Sequence, residues 1–149
     1  MRRRSLPALL ATAGLGGLAG LHLAWAAGSA WPFAGRAELA DAVVGTAEVP
    51  GPAACLAVSA ALGTAAALAA GWPARYPALC RAGTAGAATV LAARGCLGLA
   101  GRTDLIAPGS VSDRFRRLDR AVYGPLCVAL AALTGLAGRA VIGPILRRN

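Results

Sequence analysis

The chain has 149 residues, 57% of them hydrophobic and 14% charged, and its net charge of +9 rests on arginine alone because it contains no lysine. A soluble domain is normally about a quarter charged and a bilayer crossing takes ~20 apolar residues, so about four crossings with short loops use up the chain and exclude a separate soluble domain. Nucleic-acid binding is excluded too: the arginines flank or interrupt apolar runs instead of lining one face, a placement that fixes orientation in a membrane.

The apolar weight comes from Ala, Leu, Val and Gly, with only 5% aromatic residues. Such residues make thin helices that pack closely. The Ala-, Gly- and Arg-rich composition points to a GC-rich bacterial source.

Arg2, Arg3 and Arg4 precede the first apolar run, residues 6–27. The basic start and the small residues over 24–30 resemble a signal peptide. The run is longer than a signal core and further apolar segments follow, so an uncleaved first span is predicted. Gly16 and Gly20 form a GxxxG within it, a surface that lets another helix approach closely. Near its end stand His22, the only histidine, and two of the three tryptophans, Trp25 and Trp31, residues suited to anchor a span at the interface.

Residues 33–51 form a loop in which Arg36 is outnumbered by Glu38, Asp41 and Glu48, with a short surface helix over 37–44. Pro52 suits the first turn of a second, uncharged span over 52–70, where its missing N–H costs nothing. A turn carrying Trp72, Arg75 and Tyr76 leads to a third span over 78–100, with Arg81 near its start and Arg94 well inside. Gly95, Gly98 and Gly101 lie near one face just beyond Arg94 and leave room for a tightly packed neighbour. A second loop over 101–121 is broken by Pro108 and Gly109, and Ser112 or Asp113 caps a short helix through Arg120. There Phe115, Leu118 and Val122 share an apolar stripe, which places the arginines and Asp119 among lipid headgroups as an interfacial anchor. The fourth span, 122–142, has Arg139 near its far end, and Arg147 and Arg148 close the chain.

The expected fold is a single all-α unit, a four-helix transmembrane bundle with short surface helices in the two outer loops. Four spans put both termini on the side of Arg75 and the terminal arginines, and basic flanks mark the cytoplasmic face. The expected orientation is N-in/C-in in a bacterial cytoplasmic membrane. The acidic first loop agrees. The second loop does not, since Arg102, Arg114, Arg116, Arg117 and Arg120 outnumber Asp104, Asp113 and Asp119.

At about 1.5 Å per residue, His22 lies ~9 Å and Arg94 ~10 Å inside the outer ends of their spans. Tyr123 stands at the entrance of the fourth span and Cys127 about one turn deeper. An arginine at that depth either snorkels to the interface or faces inward and needs a partner; Asp104, Asp113, Asp119 and a bound anion are the candidates. The predicted site is a polar pocket in the outer half bounded by His22, Trp25, Arg94, Asp119 and Tyr123, taking a small anionic or lipid-like ligand or a partner protein. One alternative is a membrane enzyme with His22 as base assisted by Tyr123 or Cys127; another is a structural or accessory membrane subunit. Cys55, Cys96 and Cys127 fall near the outer face and Cys80 near the inner. Lacking a CxxC, they read as small apolar thiols, with an outward disulfide as the alternative. A lone histidine is too little for a metal site, and no cofactor is implied.

Taken in order, His22, Trp25 and Gly28, then Trp31 and Pro32, then Val43, Val44 and Gly45, then Arg94, Gly95 and Gly98, and finally Phe115, Leu118, Asp119, Arg120, Tyr123, Pro125, Leu126 and Cys127 resemble a family of small bacterial integral membrane proteins, domain of unknown function 3995. The resemblance covers nearly the whole chain. It implies four spans and lends weight to the outer-half residues, and it carries no activity with it.

Overall fold

The computed structural model describes residues 5–105 and 112–140. The expectations for Arg2, Arg3, Arg4, Pro108, Gly109, Arg147, Arg148 and the last residues of the fourth span lie outside them. Every regular element among the described residues is helical: α1 (Leu6–Ala26), α2 (Arg36–Val43), α3 (Pro52–Ala69), α4 (Pro77–Leu99), a 3-10 turn (Thr103–Leu105), α5 (Asp113–Leu118), a π-helical turn (Asp119–Tyr123) and α6 (Gly124–Ala140).

The ends of these helices follow from local chemistry. Pro7, Pro52 and Pro77 occupy the first turns of α1, α3 and α4, where a proline costs no intrahelical hydrogen bond and presets φ. These helices also stop alike. Gly28, Gly71 and Gly101 take φ of 96°, 79° and 68°, and the N–H groups of Ser29, Trp72 and Arg102 reach back to the carbonyls of Ala24, Ala67 and Leu97. This Schellman closure satisfies carbonyls that the helix end would orphan, and glycine enters it without strain.

The long helices α1, α3, α4 and α6 pack side by side. The largest contacts are α1 along α3 and α4 along α6, and α1 against α6 and α3 against α4 complete the arrangement. Small residues build the interior in layers. Ala8, Ala11, Ala69 and Ala137 meet near one end, Leu15, Ala65, Ala66 and Leu130 in the middle, and Trp25, Leu39 and Cys55 at the other end. Larger apolar side chains point outward: Leu9, Leu23, Leu56 and Leu126 are exposed and Val90 is 70% exposed, while Thr84 and Thr134 are fully buried. Water-soluble surfaces do not carry apolar side chains so continuously.

Among the described residues, three helices are long and apolar enough to cross a membrane: Leu6–Ala26, Pro52–Ala69 and the continuous stretch Asp113–Arg139. The remaining long helix, α4, has the length, but Arg81, Arg94, Gly83, Thr84, Gly86 and Thr89 dilute its apolar character.

Two expectations change. The separate surface helix over 113–120 does not exist as such, because α5 runs through the π turn into α6 without a break. The N–H of Gly124 bonds the Asp119 carbonyl five residues back, so the chain stays helical where a loop was expected to end. The second change concerns glycine. A Cβ at Gly16 or Gly20 would meet nothing within 4 Å, so that GxxxG makes no close contact within the chain. Close approach occurs instead where α4 crosses α6. A Cβ at Gly95 would stand 2.9 Å from the Gly124 carbonyl oxygen, and one at Gly124 would stand 2.9 Å from the Asp119 carbonyl oxygen and 3.1 Å from the Leu99 nitrogen.

Gly95→Val is therefore expected to destabilise the solubilised protein by roughly 1–3 kcal/mol, the usual range for overpacking, seen as a lower thermal midpoint in detergent. Gly16→Ala is expected to stay within about 0.5 kcal/mol. Equal shifts in the two variants would contradict the backbone contact at Gly95.

Candidate functional site

The most buried ion pair among the described residues joins α4 to the π turn. Arg94 Nη2 donates to Asp119 Oδ1 at 2.6 Å, and the Thr103 hydroxyl, carried on the 3-10 turn after α4, donates to Asp119 Oδ2. The Asp119 side chain is 1% exposed and that of Arg94 28%. A buried carboxylate is costly unless paired and hydrogen-bonded, and here both oxygens are engaged. Arg94 is therefore turned to a partner within the protein, and the Asp119 side chain faces the interior of the protein. Gly98 makes room for the pair: a Cβ there would stand 2.8 Å from Arg94 Nη1 and 3.0 Å from both carboxylate oxygens. Arg94 Nη1 is buried and has no hydrogen-bond partner among the described residues.

One turn further on, the Tyr123 hydroxyl donates to the Ala42 carbonyl of α2 at 3.1 Å. Its ring lies 6.4 Å from that of Phe115, which is itself pressed against Gly45. Charge holds α2 in place as well. Arg114 meets Glu38 at 2.9 Å and Asp41 at 3.7 Å, and the Ser112 hydroxyl bonds the Asp41 carboxylate. Ser112 also caps α5, accepting from the Phe115 N–H at 3.3 Å. The Arg114 guanidinium bonded to Glu38, with help from the Ala34 N–H, holds the Glu38 carboxyl below its ordinary pKa of 4.5.

His22 and Trp25 lie elsewhere. His22 Nδ1 is 2.8 Å from the Leu18 carbonyl oxygen. A carbonyl only accepts, so Nδ1 carries a proton, which leaves Nε2 as the acceptor whenever the ring is neutral. The ring lies 4.9 Å from that of Trp25. Trp25 is 7% exposed and donates its indole N–H to the Trp31 carbonyl at 2.7 Å. A satisfied indole can be buried, so Trp25 belongs to the interior layer and is not an exposed anchor. Trp31 is 69% exposed. His22 and Trp25 line a partly open pocket of about 210 Å³ between α1, α2 and α3, together with Leu39, Val43, Cys55 and Val58.

The five predicted residues thus occupy two places joined by α2. Arg94 and Asp119 pair between α4 and the π turn, while His22 and Trp25 line the pocket. Tyr123 links them by fixing the backbone of α2, whose Leu39 and Val43 form one wall of that pocket. Among the described residues no hydrogen bond joins His22 to Tyr123 or Cys127, and Cys55, Cys80, Cys96 and Cys127 are all free thiols. Two contributors were not foreseen. Thr103 follows from the rule that each oxygen of a buried carboxylate wants a donor. The inward side chains of α2 were hidden in a loop whose charges read as surface.

Outward apolar helices with a buried ion pair and an apolar pocket at one end define an all-helical protein whose surface suits a bilayer. The chain belongs to the family described as Protein of unknown function (DUF3995), which matches residues 15–134 and so includes both places described above. No curated protein and no solved structure matches the chain.

Removing one partner of a buried pair leaves the other uncompensated, so Arg94→Met is expected to cost about 3–5 kcal/mol in thermal unfolding. The double variant Arg94→Met/Asp119→Leu should regain much of that loss, and strictly additive losses would contradict the pairing. Glu38 follows a different variable. Because its folded-state pKa is lowered, its contribution to holding α2 is complete above pH 4.5 and disappears as the pH falls through the lowered value. Protection of α2 amides from hydrogen exchange, corrected for intrinsic rates, should fall in acid, and Glu38→Gln should weaken that dependence.

Proposed function

We propose that this protein is a four-span, N-in/C-in integral membrane protein of a bacterial cytoplasmic membrane, whose outer half binds one end of a small lipid-like ligand in the His22–Trp25 pocket without chemistry on it. In this reading α4 is the remaining crossing. Its 23 residues reach about 35 Å at 1.5 Å per residue, enough for a hydrocarbon core of ~30 Å. Arg94 enters neutralised by Asp119, and Arg81 lies within reach of the near end, the arrangements that let arginine reside in a span. The arginine-bearing turn at Arg75 and the acidic first loop at the other end support the orientation.

The observation that carries the ligand reading is the pocket lining, which is apolar apart from His22 and a thiol. About 210 Å³ exceeds the ~150 Å³ that admits a benzene-sized guest. It falls short of the ~300–1,000 Å³ of a complete small-molecule site. The pocket therefore takes one end of a longer molecule. His22 Nε2 selects an end that presents a donor, such as a hydroxyl. Arg94, Asp119 and Tyr123 hold the site in shape: the charge of Arg94 is answered by Asp119, and the Tyr123 hydroxyl is engaged by Ala42.

Trp31→Phe/Trp72→Phe leaves Trp25 as the sole tryptophan, and its fluorescence reports occupancy. A terminally brominated long-chain alcohol should quench it saturably. Filling the pocket with Ala54→Phe should abolish the saturable part, and His22→Phe should weaken it several-fold. Quenching that rises linearly and ignores Ala54→Phe would sink the ligand reading. A C-terminal reporter active only outside the cell would overturn the orientation.

A further inference from the structure

We infer that the opposite end of the molecule carries a second site, a recess between the start of α4 and the end of α6 that seats the phosphate of an anionic phospholipid. The inference rests on the membrane orientation proposed above and is independent of the His22 pocket. The recess measures about 440 Å³ and is bounded by Arg81, Ala82 and Ala85 of α4 and by Gly135, Gly138 and Arg139 of α6. Small side chains create it: at Gly138 even a Cβ would run into the Thr84 hydroxyl. That hydroxyl is turned inward and donates to the Cys80 carbonyl at 2.7 Å. The charged groups bounding the recess are therefore two guanidinium groups, one from each helix.

The distribution of counter-charge differs between the two ends of the molecule. All six acidic side chains of the chain, Glu38, Asp41, Glu48, Asp104, Asp113 and Asp119, belong to the other end. There Arg94, Arg102, Arg114 and Arg116 each meet a carboxylate. Arg81 and Arg139 have no carboxylate partner among the described residues; along α4 Arg81 lies ~20 Å from Arg94, and along α6 Arg139 lies ~23 Å from Gly124. Two arginines converging on one recess without an internal anion form a receptor for an external one, and guanidinium forks match phosphate oxygens. Basic recesses between spans on the cytoplasmic side suit acidic headgroups. A lipid fits better than a free ion because Leu79 and Leu136, next in sequence to the lining residues Ala78 and Gly135, are exposed apolar side chains that offer acyl chains a surface.

Native mass spectrometry of the full chain, released from detergent in an equal mixture of phosphatidylglycerol and phosphatidylcholine with matched acyl chains, tests this. The native chain should retain phosphatidylglycerol several-fold more than phosphatidylcholine. Arg81→Gln/Arg139→Gln should bring that ratio close to one, while Arg116→Gln/Arg117→Gln at the other end should leave it unchanged. Gly135→Leu, which fills the recess and keeps both charges, should also lose the preference and guards against misfolding of the double variant. Equal retention of both lipids by the native chain, or a preference that survives both recess variants, overturns the site. Inorganic phosphate displacing the lipid at equal concentration overturns its assignment to a lipid. Equal retention of both lipids by a native chain that still extracts only with detergent and keeps its topology removes this site alone. A chain that stays monodisperse without detergent removes the membrane reading together with it.

Discussion

The contact between Arg94 and Asp119 is the constraint around which this end of the helices is arranged. Either charge alone would be an ion among apolar helices without compensation, so neither α4 nor the π turn can adopt its position without the other. The geometry that allows the contact is demanding. Gly98 leaves space for the guanidinium, Gly95 and Gly124 let the two backbones approach, and the π turn carries Asp119 to the interface with its second oxygen facing Thr103. Neutralising Arg94 also removes the main obstacle to placing α4 in hydrocarbon. One ion pair thereby joins the packing of the interior to the fitness of a whole helix for its surroundings.

From that pair the structure extends to α2 through Tyr123, and from α2 to the pocket beside His22. The order matters physically. α2 has only eight residues, too few to be stable as an isolated helix. It persists because Arg114, Ser112 and Tyr123 hold its polar side while Leu39 enters the interior layer with Trp25 and Cys55. A pocket whose wall is borrowed in this way keeps its shape only while its supports are in place.

Much of this was legible in the sequence wherever the determining chemistry is local. Pro52 was readable as a helix start, and Pro77 at the start of α4 and Gly28, Gly71 and Gly101 at helix ends obey the same local rules, because capping depends on a few neighbouring residues. The start of the last long helix was not legible. Asp113, Arg114, Arg116 and Arg117 read as a polar surface piece, and no residue pattern announces that the helix passes through a π turn. Depth along a helix follows from counting residues, so His22 and Arg94 could be set at similar levels. Direction around the helix axis does not, and that is why one predicted pocket resolves into an ion pair and a separate apolar pocket. Leu39 and Val43 stayed hidden for a related reason: in a stretch with Glu38 and Asp41, charge dominates the reading while a single helical face decides the packing.

The confinement of every carboxylate side chain to one end makes the molecule electrically lopsided along its long axis. In a bilayer that holds a potential, the two possible ways of threading such a chain differ in electrical work. The scale is about 2.3 kcal/mol per elementary charge per 100 mV. The arginine-only end gains by residing on the negative side, which in an energised cell is the interior. In the orientation proposed above, the membrane voltage would act as a sorting force during insertion, and a chain made while the membrane is depolarised would lack that part of its guidance.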